Sequence, residues 1–152
     1  MRVLKNKNIY IVASTFYSEL SDQLINGAST ELINELGPES SSRLKVIEVP
    51  GAFEIPGITK QILEYSEKPD LIVTLGVLIK GETNHFEYIS ESVSNSISQL
   101  NITSKIPIIF GVITALTYDQ ASERALISKK NKGAELMRTG LKMLELYDKY
   151  KK

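Results

Sequence analysis

Apolar residues along this chain follow two different periods. Near-continuous apolar runs rich in β-branched residues predict strands at residues 8–13, 44–49, 71–79 and 106–113. Such runs lack the polar alternation of a half-exposed strand and are typical of parallel strands that helices cover on both faces.

Between these runs, apolar residues recur every three or four positions, which is the period of an amphipathic helix. The recurrence predicts helices around residues 20–32 and 86–100, with shorter ones at 55–64 and 118–125. A last helix is expected to begin after Asn131, a plausible N-cap. Its apolar face contains Ala134, Met137, Leu141 and Leu144.

Alternating strands and helices predict an α/β fold, a three-layer sandwich with helices on both faces of a parallel sheet. The chain has 152 residues and no repeat or long linker, so we expect one domain over residues 1–152. The predicted loops at residues 37–42 and 67–70 are too short to separate domains.

The composition argues against several classes of function. The 18 basic and 18 acidic residues cancel, and no basic patch points to nucleic acid or an anionic membrane. With no cysteine and one histidine, a dedicated metal site is not expected. No apolar run is long enough to span a membrane and no signal peptide is evident, so we expect a cytoplasmic protein.

The residues after the third predicted strand hold the single histidine, in the sequence Gly81-Glu82-Thr83-Asn84-His85-Phe86. A strand that ends in a glycine turn and restarts as a helix directs free backbone N–H groups at one spot, where they can bind an anion. Histidine, with an ordinary pKa of roughly 6.5, can transfer protons beside it. The alternative is a polar loop with an exposed or structurally buried histidine.

The ends of the other strands also carry unusual residues, and ligands of parallel sheets bind at those ends. Phe16 either offers a flat face to a planar ligand or packs over its own helix start. Glu54 either contacts a ligand or complements a helix dipole. Arg124 can bind a phosphate or form a solvated ion pair. Lys132 can contact an anion or be a surface lysine. Phe110 is most simply interpreted as a core aromatic.

These motifs fall in residues 49–56, 75–88, 107–114, 123–125 and 131–135. In this order and spacing they resemble the 6,7-dimethyl-8-ribityllumazine synthase family over nearly the whole chain. The resemblance implies a flavodoxin-like sheet of four parallel strands in the order 2-1-3-4. It also implies a homopentamer, or a shell of 60 subunits, with active sites between subunits and a possible association with riboflavin synthase.

The implied reaction condenses 5-amino-6-(D-ribitylamino)uracil with 3,4-dihydroxy-2-butanone 4-phosphate and needs no cofactor or metal. His85 is implied as proton donor and acceptor. The resemblance assigns Glu82 and Thr83, with Arg124 of the next subunit, to the butanone phosphate, and Lys132 to a nearby charge. It assigns the ribitylaminouracil to Phe16, Ala52, Phe53, Glu54, Val77, Leu78, Ile79 and the neighbour's Phe110.

The chain departs from the family pattern at three positions near the expected site. Thr15 and Tyr17 stand where arginine and asparagine are usual, and Lys80 stands where arginine is usual. Three other interpretations stay open: a shell or scaffold protein that has lost catalysis, a lumazine or flavin carrier, and a flavodoxin-like signalling or electron-transfer module.

Overall fold

A computed structural model describes residues 2–65 and 68–151, so the turn predicted at residues 67–70 begins outside this range. The strands are β1 (Ile9–Ser14), β2 (Leu44–Val49), β3 (Leu71–Ile79), β4 (Ile108–Ile109) and β5 (Val112–Ala115). The α-helices are α1 (Ser18–Leu36), α2 (Ile55–Tyr65), α3 (His85–Thr103), α4 (Tyr118–Ala125) and α5 (Lys132–Tyr150). Short 3-10 helices span Arg2–Asn6, Pro38–Arg43 and Ala52–Glu54.

All strand pairs are parallel, and the order β2-β1-β3-β4 confirms the predicted order. The predicted number of strands is wrong, because the fourth run is divided into β4 and β5, which both pair with β3. Thr74 explains the division: its hydroxyl donates to the Ile109 carbonyl (2.7 Å) and accepts from the Gly111 N–H (3.3 Å). The Thr74 side chain thus takes the place of main-chain hydrogen bonds between the strands where the chain bends outward at Phe110.

Helices cover both faces of the sheet, which confirms the three-layer arrangement. On one face, α1, α4 and α5 pack against alternate residues of β1 and β3, such as Ile11 and Val73. On the other face, α2 and α3 pack against the intervening residues, such as Val12 and Ile72. Alternation of side chains along each strand therefore divides the apolar runs between two cores.

The edge strand β2 departs from the prediction that every strand is covered on both faces. Lys45, Val46 and Glu48 are exposed in it. Because β2 pairs with β1 on one side and no other strand of the described chain pairs with it, its outer positions face solvent. The two charged residues in the run are consistent with an edge position.

The C-terminal helix follows its prediction closely. Asn131 caps α5 by accepting the Ala134 N–H (3.4 Å), and its backbone has a φ of 46°. Gly133, in the first turn, lies against the backbone of Leu24 in α1, where a Cβ atom has no room. All four predicted apolar-face residues of α5 are buried.

The serine-rich segment after α1 is a 3-10 helix rather than the predicted loop. Hydroxyls of Ser40, Ser41 and Ser42 each donate to the carbonyl three residues earlier. Short polar side chains that bond to nearby backbone favour such tight turns. In the described part of the chain, no helix is long and apolar enough to cross a membrane.

Candidate active site

A cleft of about 300 Å³ lies at the carboxyl ends of the first three strands. It is bounded by the loop after β1, the 3-10 helix after β2, the end of β3 and the start of α3. This is the position at which parallel α/β sheets bind ligands. The lining residues are Phe16, Tyr17, Gly51, Ala52, Phe53, Glu54, Val77, Leu78, Ile79, Gly81, Thr83, His85, Phe86 and Ile89.

The floor of the cleft is formed where β3 extends beyond its neighbour β1. The ladder between the two strands ends where Ala13 lies opposite Leu75, whereas β3 continues to Ile79. The last part of β3 therefore has β5 on one side and the cleft on the other. Main-chain groups at such a position are available to a ligand, because no strand partner competes for them.

The hydrogen bonds on the β5 side identify which residues of β3 face the cleft. The Gly76 N–H donates to the Gly111 carbonyl (3.3 Å), and the Lys80 N–H donates to the Ala115 carbonyl (2.9 Å). Successive residues of a strand direct their backbone groups to opposite sides, so Val77 and Ile79 direct theirs toward the cleft. Each residue presents one donor and one acceptor, a pattern suited to the edge of a planar heterocycle.

Phe16 does not pack over its own helix start. Its side chain is 73% exposed. The Phe16 and Tyr17 rings make a T-shaped contact, with centroids 5.0 Å apart and the planes at 70°. Phe16 therefore offers an aromatic face to the cleft mouth, as a stacking residue requires.

The loop after β2 adds a second exposed ring and a carboxylate. Phe53 is 56% exposed, and Ala52 beneath it is buried. Glu54 Oε2 accepts the Gly51 N–H (3.0 Å), which caps the 3-10 helix. Glu54 thus has a local capping role that differs from the helix-dipole role considered for it, and the carboxylate retains further lone pairs for a ligand hydroxyl.

The turn after β3 presents both His85 and Thr83 to the cleft. His85 is exposed, and its backbone N–H donates to the Thr83 hydroxyl (3.3 Å). This bond holds Thr83 against the first turn of α3. The imidazole is accordingly an open side chain at the cleft rather than a structurally buried one.

An ion pair spans this turn from outside the cleft. Lys80 Nζ, just after β3, lies 2.9 Å from Glu87 Oε1 in the first turn of α3. The hydrogen bond from Lys80 holds the pKa of the Glu87 carboxyl below its ordinary value. The pair thus ties together the two elements between which Thr83 and His85 lie.

A second cavity, of about 320 Å³, contains three of the four remaining predicted residues, Phe110, Arg124 and Lys132. Phe110 is 43% exposed, so the interpretation of this residue as a core aromatic is wrong. It points outward because the chain bends between β4 and β5, as described above. The second cavity is lined by Phe110, Gly111, Val112, Ile113, Thr114, Arg124, Lys132 and Leu136.

Each of the two cationic side chains of the second cavity interacts with a nearby residue of its own helix. Arg124 Nη1 donates to the Gln120 carbonyl one turn earlier in α4 (3.0 Å). A guanidinium has five N–H donors, so others remain for an anion. Lys132 Nζ lies 2.6 Å from Glu135 Oε1, which fits the surface-lysine interpretation.

The subunit therefore divides the predicted residues between two cavities. His85 and Thr83 share the first with the residues expected at the ribitylaminouracil, except Phe110. Phe110, Arg124 and Lys132 share the second, and Glu82 is exposed and lines neither. Five further residues line the first cleft without having been predicted as site residues, although their neighbours in sequence were: Tyr17, Gly51, Gly81, Phe86 and Ile89.

Among the residues that the structure describes, no group of three or more His, Asp or Glu side chains is placed to hold a metal ion. The chemistry of the first cleft rests on a histidine, aromatic rings, a carboxylate and backbone groups. That of the second rests on two cations beside an aromatic ring.

The sheet order, the three layers and the cleft at the strand ends define a flavodoxin-like α/β protein. The chain belongs to the 6,7-dimethyl-8-ribityllumazine synthase family, whose model matches residues 6–148. It is 41% identical over 146 residues to a protein of that name from Leuconostoc mesenteroides subsp. mesenteroides, a match that covers 96% of this chain and 92% of the relative.

Two further relatives have the same name. The protein from Chlamydia caviae is 41% identical over 145 residues, which cover 95% of this chain and 93% of the relative. The protein from Chlamydia trachomatis serovar L2 is 43% identical over 145 residues, which cover 95% and 91%. The similarity therefore includes both cavities.

Proposed function

We propose that this chain is a 6,7-dimethyl-8-ribityllumazine synthase, a transferase of riboflavin biosynthesis that condenses 5-amino-6-(D-ribitylamino)uracil with 3,4-dihydroxy-2-butanone 4-phosphate. The observation that carries the proposal is the first cleft, in which an exposed histidine stands beside a stacking ring and unpaired strand backbone. Family membership supports the same activity.

The first cleft suits the pyrimidine. Phe16 stacks on the ring, and the backbone groups of Val77 and Ile79 read its polar edge. Ala52, Phe53 and Glu54 lie along the ribityl chain, with the Glu54 carboxylate accepting from a hydroxyl. Half-buried Leu78 completes the apolar wall. Stacking of this kind gains roughly 0.5 to 1.5 kcal/mol beyond the burial of area, enough to orient a planar ligand.

The butanone phosphate binds between the turn after β3 and the cations of the second cavity. Backbone N–H groups of Glu82 and Thr83 meet the phosphate from one side, because the start of α3 favours an anion. The Arg124 guanidinium of a neighbouring subunit meets it from the other side, and Lys132 adds a nearby charge. The exposed side chain of Glu82 takes no part in this proposal.

His85 transfers protons during the condensation. The pyrimidine amine attacks the ketone, water leaves to form an imine, and phosphate is eliminated. The ribityl-bearing nitrogen then attacks the remaining carbonyl and closes the second ring with loss of a second water. Each step moves a proton, and one positioned histidine supplies about 10² to 10⁴ in rate. Holding both substrates in contact supplies much of the remainder.

The separation of the cavities supports an active site shared between subunits. A cleft of about 300 Å³ lies at the lower end of the roughly 300 to 1,000 Å³ of small-molecule sites, and it must accept two substrates. The apposed second cavity of a neighbour adds both space and positive charge. We accordingly propose a homopentamer, as a ring or within a 60-subunit shell, and keep association with riboflavin synthase as a prediction.

Three more expectations from the sequence stay predictions: a single domain over residues 1–152, a cytoplasmic location, and turnover without cofactor or metal. The last has a direct test in the activity assay. Dialysis against a chelator before the assay should leave the rate unchanged, because no step of the proposed reaction uses a metal.

The experiment mixes purified protein with the two substrates and follows lumazine absorbance against the uncatalysed background. We expect enzyme-dependent product with phosphate released in equal amount. Folded, oligomeric protein that binds lumazine or flavin tightly without forming product would instead favour the carrier interpretation. Absence of both binding and turnover would favour a scaffold.

A further inference from the structure

The stacking ring of the first cleft is held by a second aromatic ring that the proposed reaction does not require. Phe16 is exposed on a loop, where an aromatic side chain is free to change rotamer. The Tyr17 ring makes a T-shaped contact with it, with centroids 5.0 Å apart and the ring planes at 70°. This is one of the favoured geometries for aromatic pairs.

Tyr17 is in turn anchored to the body of the subunit. It is partly buried and packs against the core beneath α1 and α4. Its ring also makes an edge contact with Tyr118, at a centroid distance of 6.3 Å and an angle of 63°. Tyr118 opens α4, whose start is fixed by the Thr117 hydroxyl accepting the Gln120 N–H (3.2 Å).

We propose that Tyr17 is a positioning residue that presets Phe16 for stacking on the planar substrate. The inference rests on the proposed function and adds to it a residue to which the family resemblance assigns no role. An exposed ring loses rotamer freedom when it stacks, and this loss opposes binding. A ring already held by Tyr17 has less freedom to lose, so the planar substrate binds more tightly.

The effect is specific to one substrate. Tyr17 lines the first cleft beside Phe16, whereas Arg124 and Lys132 line the second. Removing the Tyr17 ring should therefore weaken use of the ribitylaminouracil and leave use of the butanone phosphate unchanged. A merely structural role would affect both substrates together through loss of folded enzyme.

The test compares Tyr17→Leu, which keeps apolar volume against the core, with Tyr17→Phe, which keeps the aromatic edge. We expect Tyr17→Leu to raise the KM for the ribitylaminouracil by about 2- to 10-fold. Tyr17→Phe should recover most of that loss. Tyr65→Leu, which changes an exposed tyrosine at the end of α2, is the matched control.

A second readout separates this inference from the proposed function. Fluorescence titration with 6,7-dimethyl-8-ribityllumazine measures stacking without turnover and should rank the variants in the same order. Wild-type protein that binds lumazine but forms no product would remove the proposed activity while leaving the Tyr17 effect measurable. If Tyr17→Leu does not fold, Tyr118→Leu weakens the same support from outside the cleft and should raise the same KM by about twofold.

Three results would overturn the inference. The first is a folded Tyr17→Leu protein with wild-type KM and lumazine affinity. The second is an equal change in the KM for both substrates, and the third is a loss shared by Tyr17→Phe, since neither follows from the contact between the two rings.

Discussion

The two cavities of the subunit differ in the chemistry that each can supply. The first contains a histidine, two exposed aromatic rings and strand backbone open to a ligand. The second contains an arginine and a lysine beside an exposed phenylalanine. The first cavity can thus supply proton transfer and ring stacking, and the second can supply positive charge for an anion.

Under the proposed function, this difference between the cavities explains why a single subunit is an incomplete catalyst. The reaction needs a planar amine and a phosphorylated ketone in contact, with a proton relay beside them. The lysine nearest the first cleft in sequence, Lys80, is already paired with Glu87. A neighbour's second cavity would provide the guanidinium that the first cleft lacks.

The largest effect is expected from removing the histidine of the first cleft. His85→Ala should lower kcat by about 10² to 10⁴, because no other side chain lining that cleft has an ordinary pKa near neutrality. Glu91→Ala, at an exposed position of the same helix, is the control. Steady-state kinetics with a His85→Ala kcat equal to that of the control would reject the proton-transfer assignment.

A smaller and more selective effect is expected in the second cavity. Arg124→Ala should raise the KM for the butanone phosphate by about 10- to 100-fold, the range for a lost hydrogen bond to a charged group. The KM for the ribitylaminouracil should change little. Arg138→Ala removes an arginine that pairs with Glu31 outside both cavities and serves as the control. A comparable rise for both substrates would contradict the division between the cavities.

The smallest effect is expected from the ion pair that spans the turn after β3. Glu87→Gln should reduce kcat/KM by no more than about two- to threefold at neutral pH, since solvent screening leaves an exposed ion pair with a small effect. The control is Glu91→Gln on the same helix. The substitution leaves the second cavity unaltered, so any change in kcat/KM arises in the first cleft.

The pH dependence of the same pair has a definite sign. Because the pKa of the Glu87 carboxyl lies below its ordinary value of 4.5, the pair is intact above that value. It is lost as the pH falls through the lowered pKa. Hydrogen exchange in residues 80–84 should therefore differ between wild type and Glu87→Gln at pH 7 and converge in acid. A difference that persists after protonation would point to another cause.

Much of the fold could be predicted from apolar periodicity. The bounds of β2, β3 and α4 coincide with the predicted ranges, and Asn131 caps α5 as expected. These elements are bounded by residues with strong local preferences, so tertiary structure changes little at their ends. The fourth strand could not be predicted in detail, because its break depends on Thr74, a residue of a neighbouring strand.

The candidate site was predictable in its residue types and less so in its geometry. The run from Gly81 to Phe86, which contains His85, pointed to the end of β3. The exposure of Phe110 was not predictable, since a phenylalanine after two isoleucines has the pattern of a core residue. The edge contact of Tyr17 with Phe16 depends on side-chain orientation, which periodicity does not report.

The most direct test of the central claim, a site completed by a neighbouring subunit, mixes His85→Ala and Arg124→Ala subunits in one assembly. Assayed with the butanone phosphate at or below its wild-type KM, each mutant alone should be strongly impaired. Random mixing in equal amounts should restore about a quarter of the sites, those with an intact first cleft from one subunit and an intact second cavity from the next. Activity near a quarter of wild type is the predicted result, and activity no greater than the mean of the two parents would contradict the account.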